Sequence, residues 1–189
     1  MGIGGETEGR PKSPAAVGVP YTPSPAQPVT EWSEAIYYEL KDWPLARTGS
    51  WARWDPNYLV LTIDSYDGVP VEPVVIDTYE GELTITFGYW EAHLPSDGIY
   101  DETDSQRAVE AAKVLASDWL TGRIATAIFF DADDQWCGSK VLENPDDTSL
   151  LADTAWIEDF GPVRVELRKS RSTDWQHFRV ANGKLSVSS

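Results

Sequence analysis

The 189-residue sequence has little cysteine, methionine or histidine: one, one and two residues. Because Cys137 has no second cysteine to pair with, a disulfide framework within the chain is excluded, as is a zinc site of four thiolates. Long apolar runs are also missing. No stretch approaches the roughly 18 residues of a membrane-spanning helix, and the N-terminal segment lacks the apolar core of a signal peptide. These absences predict a cytoplasmic protein that does not enter a membrane.

Basic residues are scarce as well. The chain has 15 lysines and arginines against 31 aspartates and glutamates, a net charge of −16. Proteins that bind nucleic acid neutralise its phosphates with lysine and arginine, so this balance argues against a nucleic-acid partner. Apolar side chains, in contrast, are abundant: 41% of the residues are hydrophobic and nine are tryptophan, which predicts a packed core rather than a disordered chain.

The two terminal segments differ in composition from the rest. Residues 1–29 contain five glycines and six prolines with few large apolar side chains, and residues 181–189 are short and polar. Such segments bury too little surface to offset the entropy lost on ordering. The sequence therefore predicts flexible tails at 1–29 and 181–189 around one folded α+β domain at 30–180.

Helices are predicted from side-chain spacing and end signals. A short helix lies between a cap at Thr30 and a stop at Pro44, because apolar residues recur there every three or four positions. A longer amphipathic helix begins near Thr103 and ends before Gly122, where a C-terminal glycine belongs. A further short helix is predicted within 150–156.

Alternating β-branched and aromatic residues predict six or seven strands. Short turn sequences between most of them favour hairpins, so the predicted fold is α+β: a mainly antiparallel sheet of about six to seven strands with one long amphipathic helix and one or two short helices. The predicted strands are 58–64, 71–78, 82–90, 123–131, 135–143, 163–168 and 175–180.

No residue pattern amounts to a catalytic, metal or cofactor motif. His93 could act as a general base near Asp97 or Asp101, but no recognised histidine spacing surrounds it, and a surface histidine is the commoner case. The acids of 131–134 could supply oxygen ligands to a divalent ion, yet aspartate is also a favoured turn residue, and the turn interpretation is preferred. Cys137 is expected to be a buried, inert thiol. The sequence thus predicts no catalytic residue, no metal and no cofactor.

The acidic residues are unevenly distributed. Residues 55–159 hold 23 acids and four bases, a local net charge of −19, whereas residues 164–189 carry a net charge of +4. The acids can form a solvated face that maintains solubility, or a patch complementary to a basic partner. The tryptophans favour the patch, because tryptophan is enriched at interface hot spots. The candidate partner-binding residues are Trp51, Trp54, Trp90, Glu91, Asp97, Asp101, Glu102, Asp131, Asp133 and Asp134.

Three stretches carry a family resemblance: ELTITFGYWEAHL at 82–94, the helix end ASDWLTG at 116–122, and the hairpin AIFFD at 127–131 with WCGSK at 136–140. Over about 58–143 the arrangement resembles small bacterial cytoplasmic proteins, some of which are regarded as immunity proteins of secreted-toxin systems. The resemblance implies a non-enzymatic inhibitor that occludes the site of a basic toxin. It implies no active-site residue.

The leading hypothesis from the sequence is therefore an acidic, non-enzymatic protein-binding domain with a basic protein partner, which the resemblance implies is a secreted toxin. The alternative is a small-ligand-binding or catalytic domain with an aromatic-lined pocket whose polar groups are His93, Asp97 and Asp101. A third hypothesis is an assembly component that associates with itself.

Overall fold

A computed structural model describes residues 18–26, 28–94, 105–143, 155–171 and 175–187. These residues form strands and helices that build two antiparallel sheets. The strands are β1 (Val19–Pro20), β2 (Ser50–Trp54), β3 (Tyr58–Tyr66), β4 (Val69–Asp77), β5 (Leu83–Phe87), β6 (Trp90–Leu94), β7 (Ile124–Phe130), β8 (Trp136–Glu143), β9 (Arg164–Arg168), β10 (Gln176–Ala181) and β11 (Lys184–Val187). The helices are α1 (Glu31–Leu40), α2 (Ser105–Thr121) and α3 (Ala155–Phe160).

The predicted α+β class and its antiparallel pairing are confirmed, but the prediction of one sheet is wrong. Sheet A has six strands in the order β1-β2-β3-β4-β5-β6, and sheet B has five in the order β11-β10-β9-β7-β8. Part of the difference lies in 82–90, which was predicted as one strand. The chain reverses there at Gly88 and Tyr89, both in the left-handed region at φ 52° and 64°, so that β5 and β6 pair as a hairpin.

Three further strands lie where none was predicted. Ser50–Trp54 precedes the first predicted strand and pairs with β3. Val19–Pro20 and Lys184–Val187 lie in the segments predicted as tails, and each adds a strand to a sheet edge, beside β2 and β10 respectively. Each segment gains backbone hydrogen bonds to an existing strand, and Leu185 of β11 also packs against the core of sheet B.

Both predicted main helices are present. Thr30 caps α1 by accepting a hydrogen bond from the backbone N–H of Ser33 at 3.1 Å. Gly122 follows α2 at φ 75°, the conformation that favours glycine at a helix end. Thr103, the predicted start signal of α2, lies outside the described residues.

The main core lies between sheet A and the two longer helices. Alternate residues of β3, β4 and β5 face α1 and α2, and the ring of Trp119 stacks on Phe87 with centroids 4.8 Å apart. Trp119 is fully buried. The opposite face of sheet A, which points away from α1 and α2, carries the other set of alternating side chains.

Sheet B has a smaller core of its own, which includes Ala127, Phe129 and Val165 and against which Ile157 of α3 packs. The two sheets also bond to each other. The hydroxyl of Thr126 donates to the carbonyl of Gly88 at 2.8 Å, so the turn between β5 and β6 docks on the middle of sheet B.

Candidate functional site

A row of polar side chains crosses the outer face of sheet A. Register pairs Asp77 of β4 with Thr84 of β5, and Thr84 with His93 of β6. Paired residues of neighbouring antiparallel strands share a face, so these three side chains lie side by side. Leu83 and Ile85, on the other face of β5, are in the core.

This row is part of an acidic cleft, the name used below for a cavity of about 350 Å³ on that face. Among the residues that the structure describes, seven line the cleft; four of them are carboxylates, and none is lysine or arginine. The lining residues are Asp77, Tyr79, Glu80, Glu82, Thr84, Glu91 and His93.

His93 is held by two neighbours that both contact the same ring nitrogen. Nδ1 lies 2.9 Å from a carboxylate oxygen of Glu82 and 3.1 Å from the hydroxyl of Thr84. The Glu82 backbone is fixed in turn, since its carbonyl accepts a hydrogen bond from the indole N–H of Trp32 at 2.9 Å. The ring of His93 is half exposed, whereas Thr84 is buried.

An aromatic row leads to one end of the cleft. The ring centroids of Trp54 and Tyr58 are 6.4 Å apart, and those of Tyr58 and Tyr79 are 5.0 Å apart. The backbone N–H of Tyr79 donates to the carboxylate of Asp77 at 3.0 Å, which fixes the turn where β4 ends. Tyr79 therefore belongs both to this row and to the cleft lining.

The three candidate tryptophans are all half-buried, but they lie on different faces of sheet A. Trp51 and Trp90 pack against the main core, with ring centroids 5.1 Å from Tyr37 and 5.1 Å from Phe87. Trp54 belongs to the aromatic row on the outer face. Only Trp54 thus stands on the face that carries the cleft.

The candidate acids are divided between the two sheets. Glu91 lines the cleft, whereas Asp131, Asp133 and Asp134 form the turn between β7 and β8 of sheet B. A carboxylate oxygen of Asp131 accepts the backbone N–H groups of Asp133 and Gln135, each at 2.9 Å, which is the turn-forming role of aspartate. The remaining candidates, Asp97, Asp101 and Glu102, lie outside the described residues.

Asp134 belongs to a chain of charges that runs along sheet B. Arg164 bonds to Asp134 at 3.0 Å and also to Glu166, which accepts a second hydrogen bond from Arg168 at 2.9 Å. Burial acts to raise the pKa of Glu166, but the hydrogen bonds and charges of Arg168 and Arg164 outweigh it and hold that pKa below the usual glutamate range. Arg168 is itself buried and continues the chain to Glu72 of sheet A at 3.3 Å.

Sequence reasoning missed most of the cleft. Asp77, Tyr79, Glu80, Glu82 and Thr84 were not candidates, because the segment 82–94 was not read as a hairpin. The available signal was the Gly-Tyr pair at 88–89, which can reverse the chain and place His93 beside Thr84.

The structure also bears on three other features considered in the sequence: the Cys137 thiol, a metal site and a membrane-spanning helix. Burial, and after it the charge of Asp131, raises the pKa of the half-buried Cys137 thiol, which reduces its reactivity at neutral pH. Within the described ranges, no three histidine, cysteine or carboxylate side chains converge so as to hold a metal ion. No helix in the part of the chain that the structure describes is long and apolar enough to cross a membrane.

Comparison with known proteins gives no relative: the chain matches no protein-family model, no curated protein and no solved structure.

Proposed function

We propose that this protein is a non-enzymatic binding protein whose acidic cleft takes a cationic side chain of a basic protein partner. The observation that carries the proposal is the lining of the cleft, where the described residues include four carboxylates and no basic residue other than His93. Carboxylates collected in a concave site attract a cation and, in a protein of net charge −16, also speed the approach of a basic partner.

Tyr79 supplies a second kind of contact. A tyrosine ring attracts a cation over its face by about 0.5–1 kcal/mol at an exposed site. The edge contact with Tyr58 restrains the Tyr79 ring, so little side-chain entropy remains to be lost on binding.

The arrangement around His93 favours binding over catalysis. In a nucleophile–histidine–carboxylate triad, the hydroxyl and the carboxylate contact opposite ring nitrogens, so that one nitrogen accepts the hydroxyl proton while the carboxylate, bonded to the other ring N–H, stabilises the imidazolium that forms. Here Thr84 and Glu82 both contact Nδ1. The hydroxyl of Thr84 also belongs to a side chain that is only 8% exposed.

An immunity-type role is one form of this proposal. The resemblance of 58–143 implies an inhibitor of a basic toxin, and a cationic toxin surface has the chemistry that the cleft fits. One observation favours the small-ligand alternative: His93 lines a cavity. Ligand pockets are mostly apolar, however, and the described lining of this cleft has Tyr79 as its one aromatic side chain besides His93.

The test measures binding of a short arginine-rich peptide by calorimetry. We expect the double variant Glu82→Gln with Glu91→Gln to weaken binding about tenfold or more, a loss of about 1.4 kcal/mol. The matched control is Glu39→Gln with Glu143→Gln, which changes the net charge equally at exposed residues of α1 and β8. We expect that control to change affinity by less than about threefold.

Equal losses in the two double variants would overturn the cleft assignment, because they would show attraction by the overall charge alone. Absence of measurable binding at low salt would overturn the proposal itself. Binding of free guanidinium compounds without binding of the peptide would favour the small-ligand alternative.

A further inference from the structure

The junction between the two sheets encloses three polar atoms that have no hydrogen-bond partner in the described part of the chain. They are the carboxylate oxygen Oε2 of Glu72, the guanidinium Nε of Arg168 and the hydroxyl of Ser170, each buried and each without a hydrogen-bond partner among the described residues. Because a buried polar group without a hydrogen bond destabilises the folded state, native proteins rarely leave such groups unpaired.

The three residues are neighbours joined by other bonds. The backbone N–H of Glu72 donates to the carbonyl of Ser170 at 3.0 Å, and the Nη1 of Arg168 lies 3.3 Å from the second carboxylate oxygen of Glu72. Ser170 follows β9 by two residues, while Glu72 is in β4 of the other sheet. The unpaired atoms therefore share one small region between the sheets.

Aromatic rings shield this region from bulk water. The guanidinium carbon of Arg168 lies 3.6 Å from the ring centroid of Trp175 and 4.5 Å from that of Tyr89. The Arg168 side chain is 9% exposed, and Ser170 is 3% exposed. Neither side chain can satisfy its polar atom by turning outward while this packing holds.

The chemistry of the three atoms restricts what can bind them. A carboxylate oxygen only accepts a hydrogen bond, a guanidinium N–H only donates one, and a hydroxyl does either. A metal ion cannot accept from Arg168, and chloride cannot donate to Glu72. We propose that Glu72, Arg168 and Ser170 bind one internal water molecule, which donates to Glu72 and accepts from Arg168, with Ser170 as its third partner.

This water is a component of the contact between the sheets. It joins β4 of sheet A to β9 of sheet B beside the direct Glu72–Arg168 pair, at a place where the two segments are 96 residues apart in the sequence. Buried waters with three partners are costly to remove, so the site adds to the fixed orientation of the two sheets.

A crystal structure of the full chain, at a resolution that shows ordered waters, tests the proposal. We expect a water within hydrogen-bond distance of at least two of the three atoms. An empty position, direct pairing of Ser170 with Glu72, or an anomalous signal that identifies an ion would each overturn it.

A pair of variants gives a second test. Ser170→Ala removes one partner and should retain the water, whereas the added methyl groups of Ser170→Val should displace it from the density. Loss of the water from the alanine variant together with its retention in the valine variant would contradict the proposed position. The wild-type structure alone decides the matter if the valine variant does not fold.

Discussion

At the scale of single residues, Glu166 shows how the position of a charged side chain determines its contribution to stability. Its side chain is 10% exposed and accepts from both Arg164 and Arg168, while the Nδ1 of His177 on β10 lies 3.9 Å away. Ile128 of β7, the residue that pairs with Glu166 across the two strands, is apolar. Glu166 is thus a buried carboxylate between two guanidinium groups. Its removal takes one of two carboxylate partners from each of them, since Asp134 still contacts Arg164 and Glu72 still contacts Arg168.

We predict that Glu166→Gln lowers the free energy of unfolding at pH 7 by about 3 kcal/mol, the cost of breaking a buried ion pair. Urea denaturation followed by tryptophan fluorescence measures it. The matched control is Asp134→Asn, which removes the other carboxylate bonded to Arg164; its side chain is 74% exposed, so the loss should stay below about 1 kcal/mol. Similar losses in the two variants would contradict this assignment.

The pH dependence of stability follows from the same residue. Because folding lowers the pKa of Glu166, the stabilisation is fully present above the unfolded-state pKa of about 4.3 and is lost as the pH falls through the lower folded-state pKa. We therefore expect the wild-type unfolding free energy to decline more steeply below pH 4.3 than that of Glu166→Gln. Parallel curves for the two proteins would refute the linkage.

At the scale of elements, the turn between β5 and β6 couples the sheets. A Cβ added at Gly88 would lie 2.4 Å from the hydroxyl oxygen of Thr126 and 2.8 Å from the ring of Trp119, both buried. Gly68, in the turn between β3 and β4, has a similar positive φ but nothing within 4 Å of such a Cβ. A substitution at Gly68 therefore adds backbone strain alone, whereas a substitution at Gly88 adds both strain and steric crowding.

We predict that Gly88→Ala destabilises the protein by about 3 kcal/mol, from steric crowding added to left-handed strain. Gly68→Ala should cost about 1 kcal/mol, since only the strain applies. Thermal unfolding of the two variants, compared with the wild type, measures the difference. Equal shifts in midpoint would mean that the turn does not pack against sheet B as described.

The elements differ in how well the sequence predicts them. Helix α2 was recognisable because its apolar spacing and Gly122 are local signals. Strands β7 and β8 were also predicted within one residue at each end, since a short acidic turn separates them. Segment 82–90 was predicted as one strand because the alternation of Leu83, Ile85 and Phe87 runs up to the turn at Gly88 and Tyr89 and gives no local signal that the strand ends there. The cleft depends on the pairing of β5 with β6, so the sequence analysis did not predict it either.

At the scale of the whole molecule, the charge is unevenly distributed. The cleft on sheet A is lined by four carboxylates, whereas residues 175–187 at the edge of sheet B contain no acid and expose Arg179 and Lys184. A net charge of −16 also makes the folded chain repel itself. Salt should therefore act on folding as well as on partner binding, and in opposite directions.

We predict that the urea midpoint rises when sodium chloride increases from about 0.01 M to about 0.1 M, because the Debye length falls from about 30 Å to about 10 Å and screens the repulsion. Choline chloride at equal ionic strength is the control for specific ion effects. A midpoint that falls in both salts would show that attractive ion pairs outweigh the repulsion.

The sequence by itself determined what depends on near neighbours in the chain: the acidic balance, the caps and apolar spacing of α1 and α2, and the alternation of most strands. Only the tertiary structure decided how the strands divide into two sheets, that Glu82, Thr84 and His93 meet in one cleft, and that Glu72 pairs with Arg168. The physical reason is that a helix or strand is specified by contacts two to four residues apart. Sheet order and a shared site depend instead on which buried faces pack together across the whole chain.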